Sequence, residues 1–204
     1  LLLEVARDPG EVGSLEQIVH RGGPLGKGTV GEVGSVVEVA RLTITTAVAA
    51  CEALREISGA DVRIKWPNDL LVGQCKLGGI LTELSMDQES VSYAVVGLGL
   101  NVANCDFPPE LADIATSLKL ASGRDLRRAA VVRAVLESFE RRYDELLAGG
   151  FDSILASFKD LSNVIGREVE VTLGGESLRG LARDIDADGF LLLELAGGGF
   201  KRVL

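Results

Sequence analysis

The segment Ile64-Lys65-Trp66-Pro67-Asn68-Asp69-Leu70, followed seven residues after Asp69 by Lys76-Leu77-Gly78-Gly79-Ile80-Leu81, constrains this chain more than any other. Apolar residues flank each polar cluster, so the pattern predicts buried strands separated by a compact turn. The polar residues between such strands are presented to whatever lies outside. The segment holds the chain's single tryptophan, a proline, two lysines and a glycine pair. Two lysines near a compact turn suit an anionic ligand, a carboxylate or a phosphate.

The periodicity around this unit predicts an α+β protein. Residues 41–58 read as a helix, because Ala47, Val48, Cys51 and Leu54 recur at three- and four-residue steps and Ser58-Gly59 ends the run. Strands are expected at Val62–Trp66, Leu70–Val72, Gly79–Leu84 and Tyr93–Val102, the last apolar enough to be buried on both faces. Residues 124–148 read as the longest helix, with Ala129, Val132, Val135, Leu136, Phe139, Tyr143 and Leu146 inward and Arg127, Arg128, Arg141 and Arg142 largely outward. A shorter helix, 151–161, follows Gly149-Gly150.

After Asn163 the composition changes to short strands and turns: Glu168–Leu173, Ser177–Ile185 and Phe190–Leu195, with Asp188-Gly189 as a hairpin signal. This predicts a small SH3-like β-barrel over residues 163–204, packed on a main domain over 1–162. Residues 1–40 are irregular. Leu1 to Ala6 could end a helix before Pro9-Gly10, and the glycines between 22 and 34 form either a mobile surface loop or one that closes on a ligand through backbone N–H groups.

Charge narrows the partners. A net charge of −9 argues against sequence-independent nucleic-acid binding, although a local lysine pair can still govern a pocket. Cys51, Cys75 and Cys105 are irregularly spaced, which argues against a disulfide framework or zinc site and for a reducing cytosol. No apolar run approaches the ~20 residues that span a bilayer. His20 is the only histidine, and neither GxSxG nor HExxH occurs, so hydrolytic classes fit poorly.

Among the candidate residues, Lys76 stands at the entrance to a buried strand where Gly78 and Gly79 would let a ligand approach the backbone. Lys65 could belong to the same site or merely steady Asp69. Trp66 reads equally as a core plug or a pocket wall. Asn68 and Asp69 suit a turn, and Asn68 could also serve phosphate oxygens or metal-bound water. Gly97-Leu98-Gly99-Leu100-Asn101-Val102 fails as a dinucleotide loop, because the third glycine is replaced by Val102 and the run reads as a strand. A strand end relieved by glycine, with Asn101 facing a ligand, is the better reading.

KWPNDLL, KLGGILTEL, VVGLGLNV and Ala115-Thr116-Ser117-Leu118 together, in this order, resemble the biotin protein ligases. The resemblance implies a mixed-sheet catalytic domain of the biotin/lipoate ligase type, related to class II aminoacyl-tRNA synthetases, with the SH3-like domain behind it. It implies activation of biotin by ATP and Mg²⁺ to biotinyl-5′-AMP, then transfer to a lysine of a biotin carboxyl carrier domain. Lys76 and Lys65 would be catalytic. Gln17, Arg21, Gly22, Gly23, Lys76, Gly78 and Gly79 would contact biotin. Arg21, Lys27, Lys65, Asn68 and Asn101 would serve ATP, with Mg²⁺ arriving on the nucleotide rather than on protein ligands.

The sequence departs from the family pattern in one stretch. Gln17, Arg21 and Gly22 match, but Gly23 replaces an arginine, Lys27 replaces another, and the loop tryptophan is absent. A lysine or glycine cannot supply arginine's two-pronged grip on phosphate. A degenerate homologue that binds biotin or a carrier without efficient catalysis is therefore the alternative, ahead of a lipoate or octanoyl transferase. The chain starts without methionine, so a longer parent is expected, with the family's Ser-Thr-Asn biotin contact ahead of Leu1. No DNA-binding domain, DNA partner or membrane partner is expected, and a homodimer is left open.

Overall fold

Helix α1, Val36–Ser58, is the centre of the molecule. In this computed structural model, residues 36–87, 90–173 and 175–203 are described. Around this helix stand β1 (Val62–Lys65), β2 (Asp69–Val72), β3 (Cys75–Asp87), β4 (Ser90–Leu100), α2 (Leu118–Ser122), α3 (Arg128–Leu147) and α4 (Phe151–Leu161). Ala47, Val48, Cys51 and Leu54 are fully buried, so the apolar stripe read from the sequence is the packed one. Each large side chain so buried contributes roughly 1.5–3 kcal/mol. Three threonines in this helix, Thr43, Thr45 and Thr46, return their hydroxyls to carbonyls four residues back, which lets polar side chains sit on a crowded helix.

One face of α1 covers the sheet β1-β2-β3-β4, and α3 and α4 pack against the helix as well. A mixed sheet was expected. The described strands pair antiparallel throughout, since short turns join them, and parallel pairing is confined to two single bridges, Ile64 with Ser162 and Lys76 with Ala115. Strand β4 differs from expectation too. Val96, Leu98 and Leu100 are buried against the core, whereas Gly97 and Gly99 alternate with them on a half-open face. The strand is apolar because two of its outward positions, 97 and 99, are glycine, not because both faces are covered.

The helical expectations need two corrections. With 23 residues α1 is longer than α3 with 20, and α3 begins at Arg128, after Gly123 in left-handed conformation has closed α2. Its buried stripe is Val131, Val135, Ser138 and Phe139, with Ala129 exposed. Arg142 points inward: its guanidinium takes Glu52 of α1 at 2.5 and 3.1 Å and Glu145 at 2.7 Å. Helix α4 lies where the sequence placed it.

A second antiparallel sheet follows, β5 (Glu168–Leu173), β6 (Glu176–Ile185), β7 (Leu191–Leu195) and β8 (Phe200–Val203), in chain order. Among the described residues β5 and β8 do not pair, so the expected barrel is not closed by hydrogen bonds. The Asp188-Gly189 hairpin is present, with Gly189 at φ +90° and both Asp188 and Phe190 N–H groups donating to Asp186 Oδ1. Ala182, Ile185, Leu191 and Val203 join the same core cluster as α1, so the small sheet shares the main core. Among the described residues no helix is long and apolar enough to cross a membrane.

Candidate active site

The KWPND turn and the KLGGIL strand meet through one irregularity. Strand β2 pairs with β3 at Asp69–Gly79 and Leu70–Gly78, then at Leu71–Lys76, which leaves Leu77 without a partner. In a regular strand Lys76 and Gly79 would point to opposite faces. The extra residue resets the alternation, as a β-bulge does. Leu77 and Gly78 are consequently both buried, and Lys76 emerges on the same face as Gly79. Its backbone is held by Ile114 O at 2.7 Å and the Thr116 N–H at 2.9 Å, so the Ala115-Thr116-Ser117 segment fixes the bulge from the side.

On that face Lys65, Asp69, Gly79 and Gly99 form one cross-strand row. Lys76 Nζ bonds Asp69 Oδ1 at 2.6 Å, and a Cβ on Gly79 would lie 3.4 Å from that ammonium. The Lys76 side chain is 53% exposed, so the pair is worth at most about 1 kcal/mol and a ligand anion can replace it. Beside it the face is smooth and apolar. Among the described residues a Cβ at Gly97 or Gly99 would meet nothing closer than 3.8 Å, and Leu81, opposite Gly97, is 61% exposed. Packing does not demand those two glycines. They leave room above the sheet.

Gly78 differs. A Cβ there would collide with Gly99 O and approach Leu100 Cδ2 to 2.6 Å, so strand packing requires this glycine whatever binds outside. Asn68 Nδ2 donates to Ile80 O at 2.7 Å while the Asn68 backbone carbonyl accepts from the Ile80 N–H at 2.9 Å, which pins the turn to β3. Asn101 is half-buried beside the bulge, its N–H on Leu77 O and its carbonyl on the Leu118 N–H. Trp66, 8% exposed, is a core residue, and its indole N–H donates to Gly189 O at 3.1 Å. Gln17, His20, Arg21, Gly22, Gly23 and Lys27 lie outside the described residues. A shallow crevice at the C-terminal end of α1, lined by Glu52, Arg55, Glu56 and Asp61, holds none of the expected residues; its Arg55 is engaged by Asp61 and Val62 O.

The geometry thus joins Lys65, Lys76 and Gly79, and adds Asp69, Gly97 and Gly99, which the sequence reading passed over. The signal for the glycines was their two-residue spacing, which puts them on one strand face.

Residues 31–101 match the model of the biotin/lipoate A/B protein ligase family, and residues 164–203 match the biotin protein ligase C terminal domain. The chain belongs to the biotin protein ligase family. The bifunctional ligase/repressor BirA of Bacillus subtilis is 38% identical over 165 residues, 80% of this chain and 50% of that protein. The biotin–[acetyl-CoA-carboxylase] ligase of Mycobacterium tuberculosis is 34% identical over 68% of this chain and 49% of its own length. This chain spans about half the length of the curated relatives it matches. A biotin protein ligase from Aquifex aeolicus, solved with biotin and ATP, shares the fold at TM-score 0.72 and 28% identity, over 81% of this chain and 68% of that one.

Proposed function

We propose that the protein activates biotin with ATP and transfers it to a lysine of a biotin carboxyl carrier domain. The observation that carries this reading is Lys76, turned by the bulge onto a cleared glycine face and held, among the described residues, by an exchangeable ion pair to Asp69. A biotin carboxylate and an ATP α-phosphate repel each other as they approach, and a fixed cation between them offsets that repulsion in the transition state. The carboxylate oxygen bonds to the α-phosphorus as the bond to pyrophosphate breaks. The carrier lysine's amine then attacks the acyl carbon, forming an amide and releasing AMP.

On this reading Lys76 serves the reacting anions, Lys65 the phosphate chain, and the Gly79–Gly97–Gly99 strip the flat biotin body. Gly78 acts by packing, and Asn68 by fixing the turn, with its amide oxygen on the phosphate side. Asn101, Arg21 and Lys27 are assigned to the nucleotide, and Gln17, Arg21, Gly22 and Gly23 to biotin. Mg²⁺ is assigned to the nucleotide's phosphates rather than to protein ligands. We take residues 1–162 as the catalytic domain and 163–204 as the C-terminal one.

Pyrophosphate release that needs both biotin and ATP tests the proposal. Release without biotin, or none despite measurable biotin binding, contradicts it. The second outcome would favour the degenerate-binder reading, which rests on Gly23 standing where the family carries arginine.

A further inference from the structure

We propose that the Asp186–Phe190 hairpin of the second sheet is a positioning element for Lys76, acting through Trp66. This rests on the ligase reading for its consequence in catalysis, but its geometry does not depend on it.

The hairpin is rigid and seated. Asp186 Oδ1 accepts from two backbone N–H groups of its own turn, Arg202 pairs with both Asp186 and Asp188, and the Arg202 guanidinium lies 3.8 Å over the Phe190 ring. Against α1, Arg41 reaches Ala187 O at 3.2 Å and Asp188 at 3.7 Å. Gly189 sits so close to α1 that a Cβ would come within 2.7 Å of Ile44 Cδ1 and 3.2 Å of Ala40 Cβ, and its φ of +90° disfavours any side chain. That fit aims the Gly189 carbonyl at the Trp66 indole N–H, 123 residues away in sequence. A buried indole N–H without a partner carries a full desolvation cost, so the contact fixes the ring's orientation as well as its place.

From Trp66 the chain runs directly into the site. Pro67 leads to Asn68, bonded twice to Ile80, and then to Asp69, which holds Lys76 Nζ. Every link is a backbone or short side-chain contact, so displacement of the indole moves the anchor of the ammonium. A separate tie between sheet and core, Lys159 of α4 to Asp184 of β6 at 2.8 Å, involves no residue of this turn. The two ties separate positioning from mere attachment.

The test compares Trp66→Phe, Gly189→Ala and Lys159→Ala in the full chain, each well below its melting midpoint. The first readout is the acetylation rate of Lys76 relative to Lys119 without ligands, followed by mass spectrometry. A Lys76 Nζ engaged by Asp69 is less available to the reagent than a released one, so Trp66→Phe and Gly189→Ala should raise the ratio about three-fold, the scale of an exposed ion pair, and Lys159→Ala should leave it unchanged. The second readout is biotin-dependent pyrophosphate release. The first two variants should lose about 10–100-fold in kcat with KM for biotin and ATP little changed, as for a misplaced catalytic group. An unchanged labelling ratio in both variants overturns the inference, as does an equal effect from Lys159→Ala. If the wild-type chain releases no pyrophosphate, the ligase reading fails and the labelling still decides this one.

Discussion

The two sheets are both four-stranded antiparallel meanders with strands in chain order, yet their surfaces differ in kind. In the first, glycines stand in mid-strand on the open face, at 79, 97 and 99, and an ammonium emerges beside them. In the second, exposed positions carry paired charges, Arg179 with Glu170, Arg183 with Glu194 and Arg202 with Asp186, and the one mid-strand glycine among the described residues, Gly180, faces β7 with no room for a Cβ. A surface whose charges are already matched offers a ligand little. A surface cleared of side chains, with one weakly held cation at its rim, offers both room and charge. On the proposed reading, the same topology serves binding in one sheet and support in the other.

The largest expected effect is on Lys76. Lys76→Ala should lower adenylate formation by about 10²–10³-fold, the scale of removing a group aimed at developing charge, with an unchanged melting midpoint; a wild-type rate would break the contrast at its root. Gly97→Val comes next. It places side chains where the face is open, so biotin affinity should fall about 10–100-fold, the equivalent of 1–3 kcal/mol of overpacking against the ligand, while calorimetry shows no loss of stability. Gly78→Ala should do the reverse at the level of the fold, costing about 1–3 kcal/mol because the new methyl meets the β4 backbone. A chain that tolerated Gly78→Ala but unfolded with Gly97→Val would invert the assignment of the two glycines.

Smaller effects lie in the second sheet. Burial pushes the Asp186 carboxyl up, but Arg202 and the Phe190 and Asp188 N–H groups outweigh it and hold it below the usual carboxylate range. A depressed value in the folded state means that stabilisation is present above the unfolded value, about 3.9, and is lost as pH falls through the lower folded one. The midpoint of the wild-type chain should thus drop more steeply below about pH 4 than that of Asp186→Asn. Least of all, Glu170→Ala should leave both midpoint and activity nearly unaltered, since the surface ion pair with Arg179 that it removes is screened by solvent.

Much of this was legible in the sequence, and what was not has identifiable causes. The apolar stripe of α1 and the Asp188-Gly189 hairpin followed from spacing and turn chemistry. The five residues Val36–Ala40 at the start of α1 did not, because a run rich in β-branched valine carries little helical preference. Strand β3 begins at Cys75 rather than Gly79, and β8 follows a glycine turn with little apolar content to announce it. In the site, Lys76 was named for its neighbours, but the face it occupies depends on the unpaired Leu77. A register shift depends on two strands at once, so no single run of residues displays it. Asp69 was passed over for the same reason: as a turn residue it is ordinary, and it acquires a role only when the bulge brings the ammonium to it.

The most direct test of the contrast is a backbone amide map of the full chain titrated with biotin and ATP. The account predicts that the perturbed resonances gather at Asp69, Lys76, Gly79, Gly97 and Gly99, with strands β5 and β6 silent. Perturbations centred on β5–β8, or a glycine strip that does not respond to saturating ligands, would contradict it.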